Sequence, residues 1–328
     1  MRGNIASRNR IARSFFCLLA SVVLSVAGCG APDQSVTNAP VNVLYAGSLA
    51  AVMEDAVGPA FTGATGIPVD GEAHGSLGAA QMIRDRLREP DVFVSADPQV
   101  NEDVLMGDAN GDLVEWYVTF AASELVIGYS DASPLAAALS GGTDEQWYRI
   151  LAGDGVRLGR GDPSIDPKGY RTLMLFSLAA RHYDDPSIEQ ILGAPDNPEQ
   201  VLPETSLLAR VQTGQFDAGI FYKHEAVAAG LSYVSLPPAI NLGDPAFAAD
   251  YATASYTVPG GDTVAGAPIL FTVTIPRDRQ SPRAVAWVDF LLREQRMLEE
   301  LGFRPVPLRF SGDAATAPEE IRSVVTAS

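Results

Sequence analysis

Two short segments of the sequence share a design that can bind an anion. Ala46-Gly-Ser-Leu49 and Gly75-Ser-Leu77 each follow a predicted strand and precede a predicted helix. Glycine permits a tight turn, and Ser48 and Ser76 stand where a helix N-cap is expected. Because the first N–H groups of a helix have no partner within the helix, they and a serine hydroxyl can together hold an oxyanion. Taken alone, both serines could equally be ordinary N-caps.

The elements around these segments predict an α/β fold. Strands alternate with helices along the chain, which is typical of a parallel sheet, and such sheets bind ligands at the carboxyl ends of their strands. A cleft between two such lobes is a favoured place for a small ligand. The predicted strands are 41–45, 67–71, 91–95, 124–129, 217–222 and 268–275. The predicted helices are 49–61, 77–87, 170–183, 204–212, one starting near Lys223, 282–293 and 295–302.

The first 28 residues have the pattern of a lipoprotein signal peptide. Four arginines and no acidic residue precede about fifteen mainly apolar residues, which is short of the roughly 20 that a membrane-spanning helix needs. Val26-Ala-Gly-Cys29 resembles a bacterial lipobox, in which Cys29 is acylated; a plain signal peptide with an incidental cysteine is the alternative. The composition of residues 29–40 predicts a flexible tether. We therefore expect an extracytoplasmic protein that is lipid-anchored on the periplasmic or cell-surface side of the membrane.

Composition excludes several classes of function. Lys and Arg number 23 against 40 Asp and Glu, a formal charge of −17, so a nucleic-acid partner is not expected. Loss of the four leader arginines would make this −21. The two cysteines exclude a disulfide scaffold, and the three scattered histidines show no spacing typical of a catalytic metal site. Lys223 and Glu225 are expected on the exposed face of a helix.

Several longer motifs resemble those of the molybdate- and tungstate-binding proteins of ABC transporters, particularly the tungstate-binding branch. No single motif is specific to this family, but the order of the motifs from residue 46 to residue 276 is specific to it. They are Ala46-Gly-Ser-Leu49, Gly75-Ser76, Asp91-Val-Phe-Val-Ser-Ala-Asp97, Asp166-Pro-Lys-Gly-Tyr-Arg171, Phe221-Tyr-Lys223, Leu236-Pro-Pro-Ala-Ile-Asn-Leu242 and Ala267-Pro-Ile-Leu-Phe-Thr-Val-Thr-Ile-Pro276. The resemblance implies a type II periplasmic-binding-protein-like fold, with two α/β lobes and a ligand cleft between them.

The resemblance also implies the residues of the site. Its first anion-binding turn falls on Gly47 and Ser48, and its second on Ser76. Its tyrosine that donates to an oxyanion oxygen falls on Tyr222. Its two carboxylates that ligate the metal atom of the oxyanion fall on Asp166 and Glu204. The motif that opens with Asp166 brings Pro167 and Lys168 into the implied site, although many relatives have Cys or Ala where Lys168 stands.

The implied protein is a binding component and not an enzyme. It would capture molybdate or tungstate without a cofactor or a free metal ion, and as a monomer it would deliver the ligand to an ABC permease. Its implied lobes are residues 41–122 with 264–328, and residues 123–263.

Other interpretations stay open on the residues alone. Asp166 before Pro167 could form a turn, Glu204 could favour the positive end of its own helix, and Tyr222 could be a core tyrosine. The site could bind another small oxyanion, or the chain could be a sensor that binds none. A secreted hydrolase with Ser48 or Ser76 as nucleophile is a further alternative, although neither serine lies in Gly-x-Ser-x-Gly.

Overall fold

Two β-sheets flanked by helices form the framework of the protein. The computed structural model describes residues 39–141, 147–193 and 200–327, except for the side chain of Glu204. The described strands are β1 Val41–Ala46, β2 Val69–His74, β3 Val92–Ser95, β4 Trp116–Ser123, β5 Leu125–Tyr129, β6 Leu158–Gly161, β7 Val201–Leu202, β8 Ala218–Tyr222, β9 Ser232–Ser235, β10 Ser255–Thr257, β11 Thr263–Ala265, β12 Ile269–Thr274 and β13 Arg309–Gly312.

The helices lie between these strands and follow the last of them. The described α-helices are α1 Ala50–Val52, α2 Gly58–Thr65, α3 Ser76–Arg84, α4 Pro98–Val104, α5 Ala136–Gly141, α6 Trp147–Leu151, α7 Pro167–His182, α8 Ser187–Leu192, α9 Glu204–Gln212, α10 Lys223–Ala228, α11 Ala248–Tyr251, α12 Pro282–Arg293, α13 Gln295–Glu300 and α14 Glu319–Ala327. A π-helical turn, Met53–Val57, joins α1 to α2. None of the helices in the described part of the chain is both long and apolar enough to span a membrane.

The sheets differ in their strand order. The first sheet has the order β13-β4-β12-β3-β1-β2, and the second has the order β7-β6-β8-β5-β9. In the first sheet, β1 is parallel to β2 and β3, as the alternation of strands and helices predicts. The sheet becomes antiparallel where β12 pairs with β3 and β4. We call the elements around the first sheet the first lobe and those around the second sheet the second lobe.

The chain passes between the lobes at two places. Glu124 alone separates β4 of the first sheet from β5 of the second, and the chain returns through residues 266–268 between β11 and β12. The body from residue 38 onward is one compact unit, and both sheets contribute to one large apolar cluster. The limits 41–122 with 264–328 and 123–263 stay a prediction. The signal peptide, Cys29 and the tether up to residue 38 lie outside the described residues.

Helix α7 begins three residues earlier than the predicted start at Tyr170. Asp166 is its N-cap and accepts a hydrogen bond from the Lys168 amide at 2.8 Å. Pro167 follows at the first helical position, where the lack of an N–H group costs nothing. The sequence Asp-Pro thus starts the helix and places three predicted site residues in its first turn.

Candidate functional site

Ser48 lies in a short 3₁₀ turn, Gly47–Leu49, directly after β1. The prediction that it is an N-cap is wrong, because Ala46 holds that position and no side chain caps the turn. The Ser48 side chain is buried, and its hydroxyl has no hydrogen-bond partner among the described residues. Leaving a buried hydroxyl unpaired costs about 1–3 kcal/mol, so such a group is expected where a ligand supplies the missing partner.

Ser76 is the first residue of α3, and its predicted role as N-cap is also wrong. Gly75 is the N-cap, and the Ser76 hydroxyl instead accepts a hydrogen bond from the Ala96 amide at 3.0 Å. The same turn touches the second lobe, because a Cβ atom at Gly75 would lie 2.6 Å from the Ile165 carbonyl oxygen and 3.2 Å from the Asp166 Cβ. The start of α3 therefore meets the start of α7.

Asp166 combines a structural role with a buried second oxygen. Its Oδ1 caps α7, and its side chain is 1% exposed. The Oδ2 atom is also buried and lies against Gly161 of β6, where any side chain would collide with it. The alternative that Asp166 serves a turn is thus partly right, because its Oδ1 caps α7.

Tyr222 ends β8 and is fully buried. Its hydroxyl oxygen accepts a hydrogen bond from Arg171 Nη1 at 2.9 Å, and its backbone amide donates to Glu225 Oε2 at 2.8 Å. Glu225 also pairs through Oε1 with the buried Lys168 ammonium at 2.6 Å. The expectation that Glu225 is exposed is therefore wrong, because it binds Lys168, a residue 57 positions away. A contact between Lys168 and a ligand stays a prediction.

His224, at the start of α10, links the second lobe to Ser48. One ring nitrogen lies 3.1 Å from the Ser48 carbonyl oxygen, and the other lies 3.1 Å from the Ser123 hydroxyl. The ring stacks on Phe303 with centroids 4.1 Å apart. Burial lowers the pKa of His224 to about 3, and the nearby Lys168 charge acts in the same direction. His224 is therefore neutral at pH 7 and donates to the Ser48 carbonyl.

Helix α9 lies in the same region. Helix α9 packs against the Gly47–Leu49 turn and against β2. Its observed limits, Glu204–Gln212, agree with the predicted 204–212. The side chain of Glu204 is outside the described part of the structure, so its role stays a prediction.

A depression lies at the ends of the inner strands of the first sheet, next to the segments that precede β3 and β4 and the segment that follows β12. It has a volume of about 580 Å³ and is lined by several arginines, which could suggest an anion site. However, Arg88, Arg277 and Arg279 each pair with a carboxylate, which leaves little net positive charge there. Within the described residues, no group of three or more His, Cys, Asp or Glu side chains could hold a metal ion.

Comparison with known proteins identifies the family. The chain matches the family model for bacterial extracellular solute-binding proteins over residues 41–304. The chain belongs to this family. It is 39% identical over 266 residues to a Haloferax volcanii protein predicted to be the molybdenum-binding protein of an ABC transporter, with 80% of each chain covered. It is 31% identical over 280 residues to the molybdate/tungstate-binding protein WtpA of Thermococcus kodakarensis, with 77% of each covered.

Solved structures support the fold of this solute-binding protein. The periplasmic molybdate-binding protein of Azotobacter vinelandii superposes with a TM-score of 0.54 at 17% identity, and the match covers 81% of this chain and 99% of that one. At this identity the likeness concerns the fold alone. It confirms the predicted fold class, two α/β lobes in the manner of periplasmic binding proteins.

Hydrogen bonds and packing contacts connect several predicted site residues of the solute-binding protein in one region. Ser76 is linked to Tyr222 through Ala96 and Arg171, and Gly75 packs on Asp166. Arg171, Glu225 and His224 are parts of this region that the sequence did not predict. A signal existed for the first of them, because Lys168 and Arg171 recur at helical spacing with Leu175 and Leu178 on the mostly buried α7.

The neutral state of His224 predicts an acid-sensitive fold. Its pKa of about 3 in the folded protein lies below the ordinary value of 6.5, so the unfolded chain binds the proton first. As pH falls from about 6.5 toward 3, the free energy of unfolding should therefore drop by up to about 1.4 kcal/mol per pH unit from this group. We expect His224→Gln, whose amide can still donate to Ser48, to flatten this slope in denaturant titrations. His182→Gln, on the exposed end of α7, is the matched control and should leave the slope as it is in the parent.

Proposed function

We infer that this solute-binding protein captures molybdate or tungstate between its lobes and delivers it to the permease of an ABC importer. The observation that carries the proposal is the buried Ser48 hydroxyl, which lacks a partner among the described residues and lies in a turn against which α9 packs. Two relatives named for binding molybdenum, molybdate or tungstate support the choice of ligand. The proposed ligand contacts are the Gly47–Ser48 turn, Ser76 and Tyr222, with Asp166 and Glu204 as carboxylate ligands. Pro167 and Lys168 adjoin them.

Carboxylates beside a dianion need a physical reason. Two unit charges 4 Å apart repel by about 4 kcal/mol at an effective dielectric constant near 20. Molybdenum(VI) and tungsten(VI) are large, hard Lewis acids that can accept two further oxygen ligands, so Asp166 and Glu204 can coordinate them directly. Sulfur in sulfate cannot expand in this way. The same carboxylates thus attract molybdate or tungstate and repel sulfate.

The proposed working place is the outer surface of the cytoplasmic membrane. Acylation of Cys29 would anchor the protein to this membrane, and the tether would let the lobes reach the permease. The protein would act there as a monomer. The high negative charge of the chain does not oppose an anionic ligand. Surface charge is screened over roughly 8 Å in physiological salt, whereas hydroxyls and helix ends act at contact distance.

The hydrolase alternative is disfavoured by the contacts of the two histidines near the candidate serines: His224 beside Ser48, and His74, which pairs with Glu72. A serine nucleophile needs a base in contact with its hydroxyl. His224 instead contacts the Ser48 carbonyl oxygen, and the Ser76 hydroxyl accepts from a backbone amide. Both arrangements suit binding better than nucleophilic attack.

A thermal melt tests the proposal against a protein that binds no oxyanion. At 100 times the dissociation constant, tungstate or molybdate should add about 2.7 kcal/mol to the free energy of unfolding and raise the melting temperature. Sulfate at the same concentration should raise it much less. Ser48→Ala, which removes the unpartnered hydroxyl, should reduce the shift. Equal shifts with all three anions would indicate a general ionic effect, and no shift with any of them would rule out the proposed function.

A further inference from the structure

A buried arginine joins the two lobes beside the candidate site. Arg171 lies on α7 of the second lobe, is 3% exposed and reaches the connection between β3 and α4 in the first lobe. Its guanidinium donates to the Ala96 carbonyl oxygen at 2.6 Å and pairs with Asp97 Oδ2 at 2.9 Å. The neighbouring Tyr170 hydroxyl donates to the same Asp97 oxygen at 2.5 Å. Three polar contacts therefore cross between the lobes at one point.

The same arginine reaches a proposed ligand contact. Its Nη1 atom also donates to the Tyr222 hydroxyl oxygen at 2.9 Å. Ala96, which accepts from Arg171 through its carbonyl, donates through its amide to the Ser76 hydroxyl. Two hydroxyls in opposite lobes are thus connected through Ala96 and Arg171. Because the Tyr222 oxygen accepts from Arg171, its O–H bond points away from the guanidinium.

The charges in this connection depend on the lobes being together. Burial acts most strongly, against the charged form of Arg171, but Asp97 together with Tyr222 and Tyr170 outweighs it, so the pKa of the guanidinium lies above its ordinary value. Asp97 caps α4 because its Oδ1 accepts a hydrogen bond from the Gln99 amide. Its Oδ2 pairs with Arg171 of the second lobe. Moving the lobes apart would break the ion pair, and a buried charge without its partner is strongly unfavourable.

We propose that Arg171 and Asp97 form an interlobe latch and that Arg171 is a positioning residue for Tyr222. When the latch closes, the guanidinium holds the lobes together and turns the Tyr222 hydroxyl so that it can donate to a ligand. The lobes therefore close and the Tyr222 hydroxyl is oriented in the same step. Weakening the latch should mainly speed ligand release, since affinity changes within one site arise mostly in the dissociation rate. The ligand part of this inference rests on the proposed function, whereas the latch itself does not.

The test compares four variants of the full chain. Arg171→Met removes the cation, and Asp97→Asn removes the anion while keeping an oxygen that can cap α4. Arg171→Lys keeps the charge but cannot reach all three acceptors, so it should restore part of the function. Arg283→Met is the matched control, because it breaks an arginine pair with buried Asp91 that lies within the first lobe.

Closure can be read without a ligand from one backbone amide. Gly78 lies in the first turn of α3, where amides have no partner within the helix, and its N–H donates to the Ile165 carbonyl across the lobes at 3.1 Å. Hydrogen exchange at Gly78 therefore reports on lobe contact. We expect Arg171→Met and Asp97→Asn to speed this exchange and to raise the dissociation rate of tungstate by about 10-fold or more. Arg283→Met should lower the melting temperature and change neither quantity.

The outcomes separate the latch from the proposed function. Unchanged Gly78 exchange in both Arg171→Met and Asp97→Asn would overturn the latch, whatever happens to tungstate. Faster exchange with an unchanged tungstate dissociation rate would overturn the positioning role of Arg171. If the parent protein binds no oxyanion but the two variants still open, the latch stands and the proposed function fails.

Discussion

Replacing Asp166 with asparagine is expected to weaken tungstate and molybdate binding by about 100-fold or more, which corresponds to about 2.8 kcal/mol. Asparagine keeps an oxygen that can accept the hydrogen bond from the Lys168 amide, so α7 should still be capped. What is lost is the negative charge of the buried carboxylate, and a neutral amide is a poorer ligand for molybdenum(VI) or tungsten(VI). Isothermal titration calorimetry measures the change. Glu204→Gln should have an effect of the same kind.

The control for this prediction is another aspartate that caps a helical turn. Asp313 accepts from the Ala315 amide in the first lobe and has no link to the site, so Asp313→Asn should bind both oxyanions as the parent does. Sulfate gives a second check, because removal of a carboxylate should not weaken sulfate binding. If Asp166→Asn and Glu204→Gln both bind tungstate like the parent, the carboxylates do not coordinate the ligand.

Replacing Gly75 with alanine is expected to hold the lobes apart without unfolding either of them. The glycine has φ −57° and ψ 133°, an ordinary extended conformation that alanine adopts without strain. The obstacle is the second lobe, since the new Cβ would lie 2.6 Å from the Ile165 carbonyl oxygen. We expect tungstate affinity to fall by about 10-fold to 100-fold, because binding must then pay to open this contact.

Gly63→Ala is the matched control for that substitution. Gly63 lies in α2 of the first lobe, where an added Cβ meets nothing within 4 Å. Alanine should there stabilise the helix by up to about 1 kcal/mol and leave ligand affinity unchanged. Calorimetry and thermal melts on both variants separate the two effects. A Gly75→Ala protein that binds tungstate with parental affinity would show that the ligand does not need this lobe contact.

The sequence predicts six of the thirteen described strands and about half of the described helices, because the signals of these elements are local. The limits of α9 agree with the positions of Pro203 before it and Gly214 after it, and β1 and β3 follow from short apolar runs. The sequence does not predict β4, although it lies between β12 and β13 in the first sheet. All eight residues of β4 are buried, so the alternation that marks a strand with one exposed face is absent.

The site could be predicted only in part, because its decisive contacts join distant parts of the chain. The turns at Ser48 and Ser76 were recognisable from glycine and serine, but their hydroxyls do not cap the helices that follow. The Ser76 hydroxyl binds an amide 20 residues away, and Lys168 pairs with Glu225 across 57 residues. No local pattern encodes such pairs, and burial of a charge depends on the partner that tertiary packing supplies.

The central claim concerns selective capture of an oxyanion whose metal atom can accept further oxygen ligands. One calorimetric titration of the parent protein with tungstate, molybdate and sulfate tests it most directly. The predicted result is saturable binding of tungstate or molybdate at one site per chain, with sulfate weaker by about 100-fold or more, as expected when two carboxylates repel a dianion that they cannot coordinate. Equal affinity for sulfate, or no binding of any of the three anions, would contradict the account.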